Sequence, residues 1–239
     1  MKFLHIQIKK VYKAYGKLQV ITDFSMDFSP HRIHCLFAPS GCGKTTLLNM
    51  MAGLTKWDRG KIEGIDNKTL SYIFQEPRLL PWATVEENLL FVLESHYDKK
   101  IAKAHAEKYL ALVGLLVFRN AYPKELSGGM RQRVSIARAF AYDGDTVLMD
   151  EPFKGLDFVL KKRLLKYMIE NWYQKKQHVI FVTHDIEEAL YLADEIHIFK
   201  GLPLTLKGEV FVDIPYEKRE QEKEELQRYK KKVEDIVNQ

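Results

Sequence analysis

Residues 38 to 46 read Ala38-Pro-Ser-Gly-Cys-Gly-Lys-Thr-Thr46. The stretch follows the spacing G-x-x-x-x-G-K-[ST], with Ala38 at the first glycine and Gly43, Lys44 and Thr45 completing the pattern. Before it, Arg32-Ile-His-Cys-Leu-Phe37 reads as a strand; after it, Thr46-Leu-Leu-Asn-Met-Met-Ala52 reads as the first turns of a helix. A glycine loop between strand and helix turns successive backbone N–H groups and the positive helix end toward an anion. Pro39, Ser40, Gly41, Cys42, Gly43, Lys44, Thr45 and Thr46 are therefore candidates for holding a nucleoside triphosphate. Lys44 should reach the β- and γ-phosphates and the Thr45 hydroxyl should bind magnesium. Ala38 is compatible if its backbone needs no positive φ, where a methyl costs roughly 1 kcal/mol.

A second strand, Thr146-Val-Leu-Met149, runs into Asp150-Glu151-Pro152. Alternation sends neighbouring side chains of a strand to opposite faces, but a chain turning at Pro152 brings both acids to the phosphates. Asp150 is then placed for the magnesium shell and Glu151 for orienting or deprotonating the attacking water. A third stretch, Leu126-Ser-Gly-Gly-Met130 followed by Arg131-Gln-Arg-Val-Ser-Ile-Ala-Arg138, is a glycine turn opening a helix, able to close over a triphosphate held by another chain.

Together these stretches resemble the ATP-binding subunit of an ATP-binding-cassette (ABC) transporter, over roughly residues 3 to 214. Leu126, Ser127, Gly128, Gly129 and Met130 are similar to the family's signature motif, which acts on the partner's ATP. Other positions fall in the family's order. Tyr15 in Lys13-Ala-Tyr-Gly16 resembles the aromatic residue that stacks on adenine, and Gln75 the glutamine that touches magnesium and senses the transmembrane partner. Asp157 in Gly155-Leu-Asp157 resembles the aspartate that communicates across the dimer, and His184 in Val182-Thr-His-Asp185 the histidine contacting the γ-phosphate. The resemblance thus implies Lys44, Gln75, Glu151 and His184 as catalytic residues, Thr45, Gln75 and Asp150 around magnesium, and ATP with Mg2+ as cofactors. Phe74-Gln-Glu-Pro-Arg-Leu-Leu-Pro-Trp82 further resembles the import systems for nitrate, sulfonates and taurine; its prolines, arginine and Trp82 have the composition of a rigid docking ridge.

The fold expected is α/β, a P-loop (RecA-like) nucleotide-binding core with an antiparallel β subdomain and an inserted helical subdomain. Residues 1–75 and 141–214 are assigned to the core, 76–140 to the helical part and 215–239 to a charged C-terminal helix. Met1 to Lys10 alternates like an edge strand, and strands are expected at Leu4–Ile8 and Gln19–Ile21. Arg59–Ile62 and a turn at Gly64-Ile-Asp-Asn67 suggest a short hairpin leading to a core strand that ends at Gln75. Thr84 with Glu87 forms a capping-box pattern, and helices are expected over Val159–Gln174 and Ile186–Ala193. In the tail, Leu226, Tyr229, Val233 and Ile236 recur at helical spacing; an exposed helix either packs back on the core or meets a partner.

The longest apolar run, Tyr109 to Phe118, is too short to span a bilayer, which takes roughly 18 to 20 residues. The N-terminus lacks the unbroken apolar centre of a secretion signal, so retention in the cytoplasm is expected. Cys35 and Cys42 read as reduced thiols, and no Cys/His spacing suggests zinc. A net charge of +5 over 239 residues suggests no nucleic-acid role. The resemblance implies a homodimer formed on ATP binding, integral membrane permease subunits docking near Gln75–Trp82, an extracytoplasmic substrate-binding protein acting indirectly, and a place on the cytoplasmic membrane face. A soluble ABC-type ATPase of DNA repair, cluster assembly or translation is the rival; it often carries coiled-coil inserts, zinc modules or tandem cassettes, none visible here. A nucleotide-binding regulatory module would require loss of a chemical residue, and Lys44, Gln75, Glu151 and His184 are all present.

Overall fold

The computed structural model describes residues 5–39, 41–65 and 69–238. In chain order its elements are β1 (Ile6–Tyr15), β2 (Leu18–Phe28), β3 (Ile33–Phe37), α1 (Lys44–Met51), β4 (Arg59–Glu63), β5 (Leu70–Ile73), α2 (Val85–Leu93), α3 (Lys99–Leu112) and α4 (Gly128–Tyr142). There follow β6 (Thr146–Asp150), α5 (Phe158–Lys175), β7 (His178–Thr183), α6 (Ile186–Leu192), β8 (Glu195–Lys200), β9 (Thr205–Phe211), α7 (Tyr216–Arg219) and α8 (Lys223–Asn238).

Among the described residues the strands form two sheets. The larger has the order β5-β6-β7-β3-β8-β9, parallel except for β9. Its central strands are apolar on both faces, as strands covered on both sides must be. Ile33, Cys35, Phe37, Val147, Met149, Val179 and Phe181 join one core cluster with the helices, while Leu36, Leu148, Ile180 and Val182 join a second cluster with α1 and the smaller sheet. Helices α2 to α4 contribute Val85, Leu89, Tyr109 and Val134 to the first cluster and so share the core of the larger sheet.

The smaller sheet, β2-β1-β4, is antiparallel. β1 is its central strand, pairing Ile8 with Met26 on one side and with Ile62 on the other, so the edge position expected from alternation is not found. Among the described residues the expected hairpin around 59–67 is not found either. β4 pairs with β1, whereas β5 enters the other sheet beside β6 and ends at Ile73, two residues before Gln75. Asp66 and Asn67 of the expected turn lie outside the described residues, as do Met1 to Leu4. The capping box at Thr84 is present: its hydroxyl accepts from the Glu87 N–H, and the Glu87 carboxylate from the Thr84 N–H.

The tail packs back on the core. Tyr229 and Val233 are buried, Leu226 and Ile236 pack against the same cluster, and α8 lies on β8, β9 and α6. The opposite face of α8 remains exposed, so the helix is half-buried. Arg219, buried at the end of α7, anchors the approach by donating to the Ile214 carbonyl at 2.9 Å and to the Leu190 and Tyr191 carbonyls at 3.1 and 2.9 Å. Its guanidinium also stacks 4.0 Å from the Tyr216 ring. Arg219→Ala leaves three carbonyls without this donor and should lower unfolding stability by about 3 kcal/mol in urea titration.

Candidate functional site

Three loops meet at the carboxyl ends of neighbouring parallel strands, where α/β sheets place ligands. They follow β3, β6 and β7; the first two, with Val182 of β7, line a cleft of about 320 Å³, and His184 from the third reaches Glu151. Its lining combines Tyr15, Leu18, Val20, Val182 and Leu202 with Gly41, Gly43 to Thr46, Gln75, Asp150 and Glu151. An aromatic ring and aliphatic side chains beside a phosphate-type loop suit a flat ring joined to a chain of anionic groups.

The phosphate loop is built for an anion. α1 begins at Lys44, and its N-cap residue Gly43 supplies no side-chain hydrogen bond; its first turn carries no acid. Those N–H groups remain available to a ligand. Gly43 has φ 99°, and a Cβ there would stand 2.8 Å from Val20 Cγ1, so both backbone and space require glycine. Ala38 is fully buried with no positive φ, and its methyl is accommodated without strain. The Lys44 ammonium donates to the Ala38 carbonyl at 2.8 Å and the Pro39 carbonyl at 2.6 Å, which hold its charge at the loop. Cys42 Sγ donates to Pro39 O at 3.1 Å and Cys35 is buried on β3; both thiols are free. Ser40 lies outside the described residues.

The two acids converge by a turn one residue earlier than the sequence suggests. Glu151, not Pro152, is the bend: its φ is 47°, the left-handed region, while its N–H still donates to Val182 O at 3.0 Å as an extension of the β6–β7 ladder. Asp150 Oδ2 accepts from Thr45 Oγ1 at 2.6 Å. Burial raises the Asp150 carboxyl pKa, the Thr45 hydrogen bond opposes this, and the Glu151 charge adds to the rise. A hydroxyl, a buried carboxylate lacking a full counter-charge and the nearby Gln75 amide are hard oxygen donors of the kind magnesium takes, so these residues fit that ion.

Glu151 carries a different environment. Its Oε1 lies 2.9 Å from His184 Nδ1 and its Oε2 2.8 Å from the Lys154 ammonium. A carboxylate only accepts, so Nδ1 is the protonated nitrogen of His184. Burial pushes the Glu151 carboxyl up, but the Lys154 and His184 hydrogen bonds outweigh it and hold it below the usual range. His184 follows β7 and is held by its neighbour: Asp185 caps α6, accepting from the N–H groups of Glu187 and Glu188.

The ABC transporter family is matched over residues 21–154. The chain belongs to that family. Among its relatives, the aliphatic sulfonates import ATP-binding protein SsuB of Bacillus cereus is 40% identical over 227 residues, covering 92% of this chain and 89% of that protein. An uncharacterized ABC transporter ATP-binding protein of Methanocaldococcus jannaschii, MJ0412, is 36% identical, with 96% and 89% covered. In solved structures, the post-hydrolysis dimer of the cassette MJ0796 bound to ADP and Pi superposes with a TM-score of 0.78 at 26% identity, covering 88% of this chain and 100% of that one.

The remaining residues of this ABC chain divide between the cleft and the surface. Tyr15 is half-exposed at the end of β1, with the Lys13 ammonium 5.1 Å from its ring centroid. Gln75 lies just past β5, on the wall shared with Asp150. Ser127 is the N-cap of α4, accepting from Met130 N–H at 3.2 Å; Gly128 is exposed and Leu126 buried, and none of residues 126 to 130 lines this chain's cleft. Asp157 caps α5, accepting from Leu160 N–H at 3.0 Å. Along the ridge, Arg78 lies 4.1 Å over the Phe74 ring and Trp82 is 74% exposed.

Two residues that hold candidate site segments in place escaped the sequence. Lys154 gave no signal beyond standing three residues after Glu151. Asn88 is a fully buried amide that clamps the ridge, accepting from Leu80 N–H at 2.8 Å and donating to Leu80, Ala83 and Thr84 carbonyls. An asparagine inside an amphipathic helix is the pattern that could have shown it. Lys154→Met removes a cation that favours the ionised Glu151 while leaving burial in place. The Glu151 midpoint should therefore rise in a carboxyl-carbon NMR titration; an unmoved midpoint would show that Lys154 does not set this charge.

Proposed function

We propose that the chain is the ATP-hydrolysing subunit of an importer for aliphatic sulfonates or a similar small organic anion, driving a separate membrane permease from the cytoplasmic side. The observation that carries the proposal is the split between the two glycine motifs. The cleft gathers Lys44, Thr45, Gln75, Asp150 and Glu151, while the Ser127–Met130 helix start lines no part of it. ATP on one chain's loop is then covered by Ser127, Gly128 and Gly129 of a second copy; that the related cassette bound to ADP and Pi is dimeric supports a two-chain arrangement.

In this reading Tyr15 stacks on the adenine and the loop N–H groups with Lys44 hold the phosphates. Thr45 and Asp150 with Gln75 would hold magnesium, which would supply screening of the phosphate charge. Glu151, kept ionised by its two partners, accepts a proton from water, and His184 fixes the carboxylate while its other nitrogen faces the γ-phosphate. Asp157 ties the start of α5 to the opposing copy. Loss of the terminal phosphate releases the second chain, and the movement at Gln75 passes along the Pro77–Trp82 ridge to the permease. The sulfonate assignment rests on the names of relatives, supported by the ridge sequence, and an extracytoplasmic binding protein would deliver the cargo. Among the described residues no helix is long and apolar enough to cross a membrane, which fits a docked subunit.

Glu151→Gln should lose turnover by roughly 10²- to 10⁴-fold and elute as a dimer with ATP. Lys44→Ala should weaken nucleotide binding about ten- to a hundredfold. Normal turnover in Glu151→Gln, or an ATP-bound Glu151→Gln protein that stays monomeric, would sink the composite site. In membrane pull-downs the parent chain should recover an integral membrane protein and Trp82→Ala should recover far less, with its ATPase rate in solution unchanged. Recovery of DNA or ribosomes instead would favour a soluble clamp ATPase.

A further inference from the structure

At the other end of β3, away from the phosphate loop, four segments bring together groups that the proposed function does not use. β3 and β8 are neighbours in parallel register, with His34 opposite Glu195 and Leu36 opposite His197. His34, Glu195 and His197 are all buried, at 0%, 8% and 1% exposure. Their side chains share the face under Phe28, whose ring meets both imidazoles edge-on at 5.2 and 5.9 Å.

The hydrogen bonds fix which nitrogens are free to ligate. His34 Nε2 lies 2.9 Å from the Ser29 carbonyl oxygen, and His197 Nδ1 lies 2.6 Å from Glu209 Oε1. A carbonyl and a carboxylate accept, so each imidazole donates there and its other nitrogen presents a lone pair. Those two nitrogens, His34 Nδ1 and His197 Nε2, face each other at 3.1 Å. Glu195 Oε2 stands 3.4 Å from the first and 3.9 Å from the second. The Ser29 hydroxyl hydrogen-bonds the Glu195 carboxylate, but the two imidazole lone pairs face each other at 3.1 Å with no hydrogen between them, an arrangement that repels unless a positive species joins them. Arg32 reaches the other Glu195 oxygen at 3.7 Å and not the convergence point.

We propose that His34, Glu195 and His197 form a buried zinc site that staples the beginnings of β3 and β8. A tetrahedral ion with bonds of about 2.0 to 2.2 Å to nitrogen and oxygen sets its ligands roughly 3.3 Å apart, and the three separations observed bracket that value. Two imidazoles and a single carboxylate suit zinc better than magnesium or calcium. The Ser29 carbonyl and the Glu209 carboxylate are the outer partners that orient ligating histidines in metal sites. Among the described residues no fourth His, Cys, Asp or Glu joins the group, which leaves the remaining position to solvent. Through Ser29 and Glu209 the ion would also tie the end of β2 and the middle of β9 to β3, the strand that delivers residue 38 to the phosphate loop. His34 and His197 lie 163 residues apart, so no spacing in the sequence announces the site.

Tag-free protein expressed with zinc and dialysed should carry stoichiometric zinc by metal mass spectrometry. After chelation, cobalt(II) should restore intense visible bands of a low-coordinate site, distinct from the weak spectrum of an all-oxygen site in the nucleotide cleft. Glu209→Ala, at a partly exposed carboxylate, should bind zinc roughly 10- to 100-fold more weakly in a chelator competition. His197→Gln should lose the cobalt bands; should that variant fail to fold, the parent's cobalt spectrum and the Glu209→Ala competition decide. Parent protein that is metal-free and takes up no added zinc would overturn the proposal in favour of a shared proton, and zinc retained unchanged in Glu209→Ala and His197→Gln would place the metal elsewhere.

Discussion

The site depends on how β6 ends. Asp150 is the last residue in ladder register with β7, opposite Val182, and the next N–H, that of Glu151, still reaches the Val182 carbonyl. Had the chain stayed extended, Glu151 would point away from Asp150. Its φ of 47° turns it back into the cleft at a cost of about 1 to 3 kcal/mol for a residue with a side chain. The Lys154 and His184 hydrogen bonds to the Glu151 carboxylate offset that strain. The same bend is held from the other side, since Gln132 on α4 donates to the Pro152 carbonyl at 3.1 Å. One turn therefore fixes the acid pair and ties it to the helix that begins at the Ser127 glycine motif, so the two motifs of the sequence are mechanically joined within one chain.

What the sequence made legible was local. The phosphate loop between strand and helix, the Thr84 cap and the helix expected over 159–174, found over 158–175, are each set within a few residues of chain. What it hid was pairing across distance. The alternation of the first ten residues fits a central strand as well as an edge one, because alternation reports one covered face and is blind to the number of hydrogen-bonded neighbours. The residues of β4 carry turn signals at both ends, yet their partner is β1, with Lys9 opposite Lys61, and not the next strand. A bend at a glutamate before proline is disfavoured locally and survives only because tertiary contacts hold it. The tail's apolar spacing was visible, whereas the surface receiving it was not; Gly208 on β9 leaves just enough room for Ile236, to which a Cβ there would come within 3.1 Å.

The nucleotide cleft and the proposed docking ridge are joined by a segment with little freedom to absorb motion. Gln75 follows Phe74, whose ring stacks 4.0 Å from Tyr72 on β5 and lies under Arg78. The Tyr72 hydroxyl in turn donates to Asn49 Oδ1 on α1, the helix that opens at Lys44. Beyond Arg78 the backbone at Leu80, Ala83 and Thr84 is clamped by the single amide of Asn88. Two prolines, Pro77 and Pro81, remove further freedom. On the proposed reading, the segment between residues 74 and 84 has little freedom to absorb a displacement of Gln75 by bending, because one end is held to β5 and α1 and the other to α2. The displacement is instead passed to α2 and Trp82 as a whole. Coupling of this sort requires a stiff link between two elements that have alternative positions. The aromatic stack and the Asn88 clamp supply the stiffness, and the cover over the partner's nucleotide supplies the alternative positions.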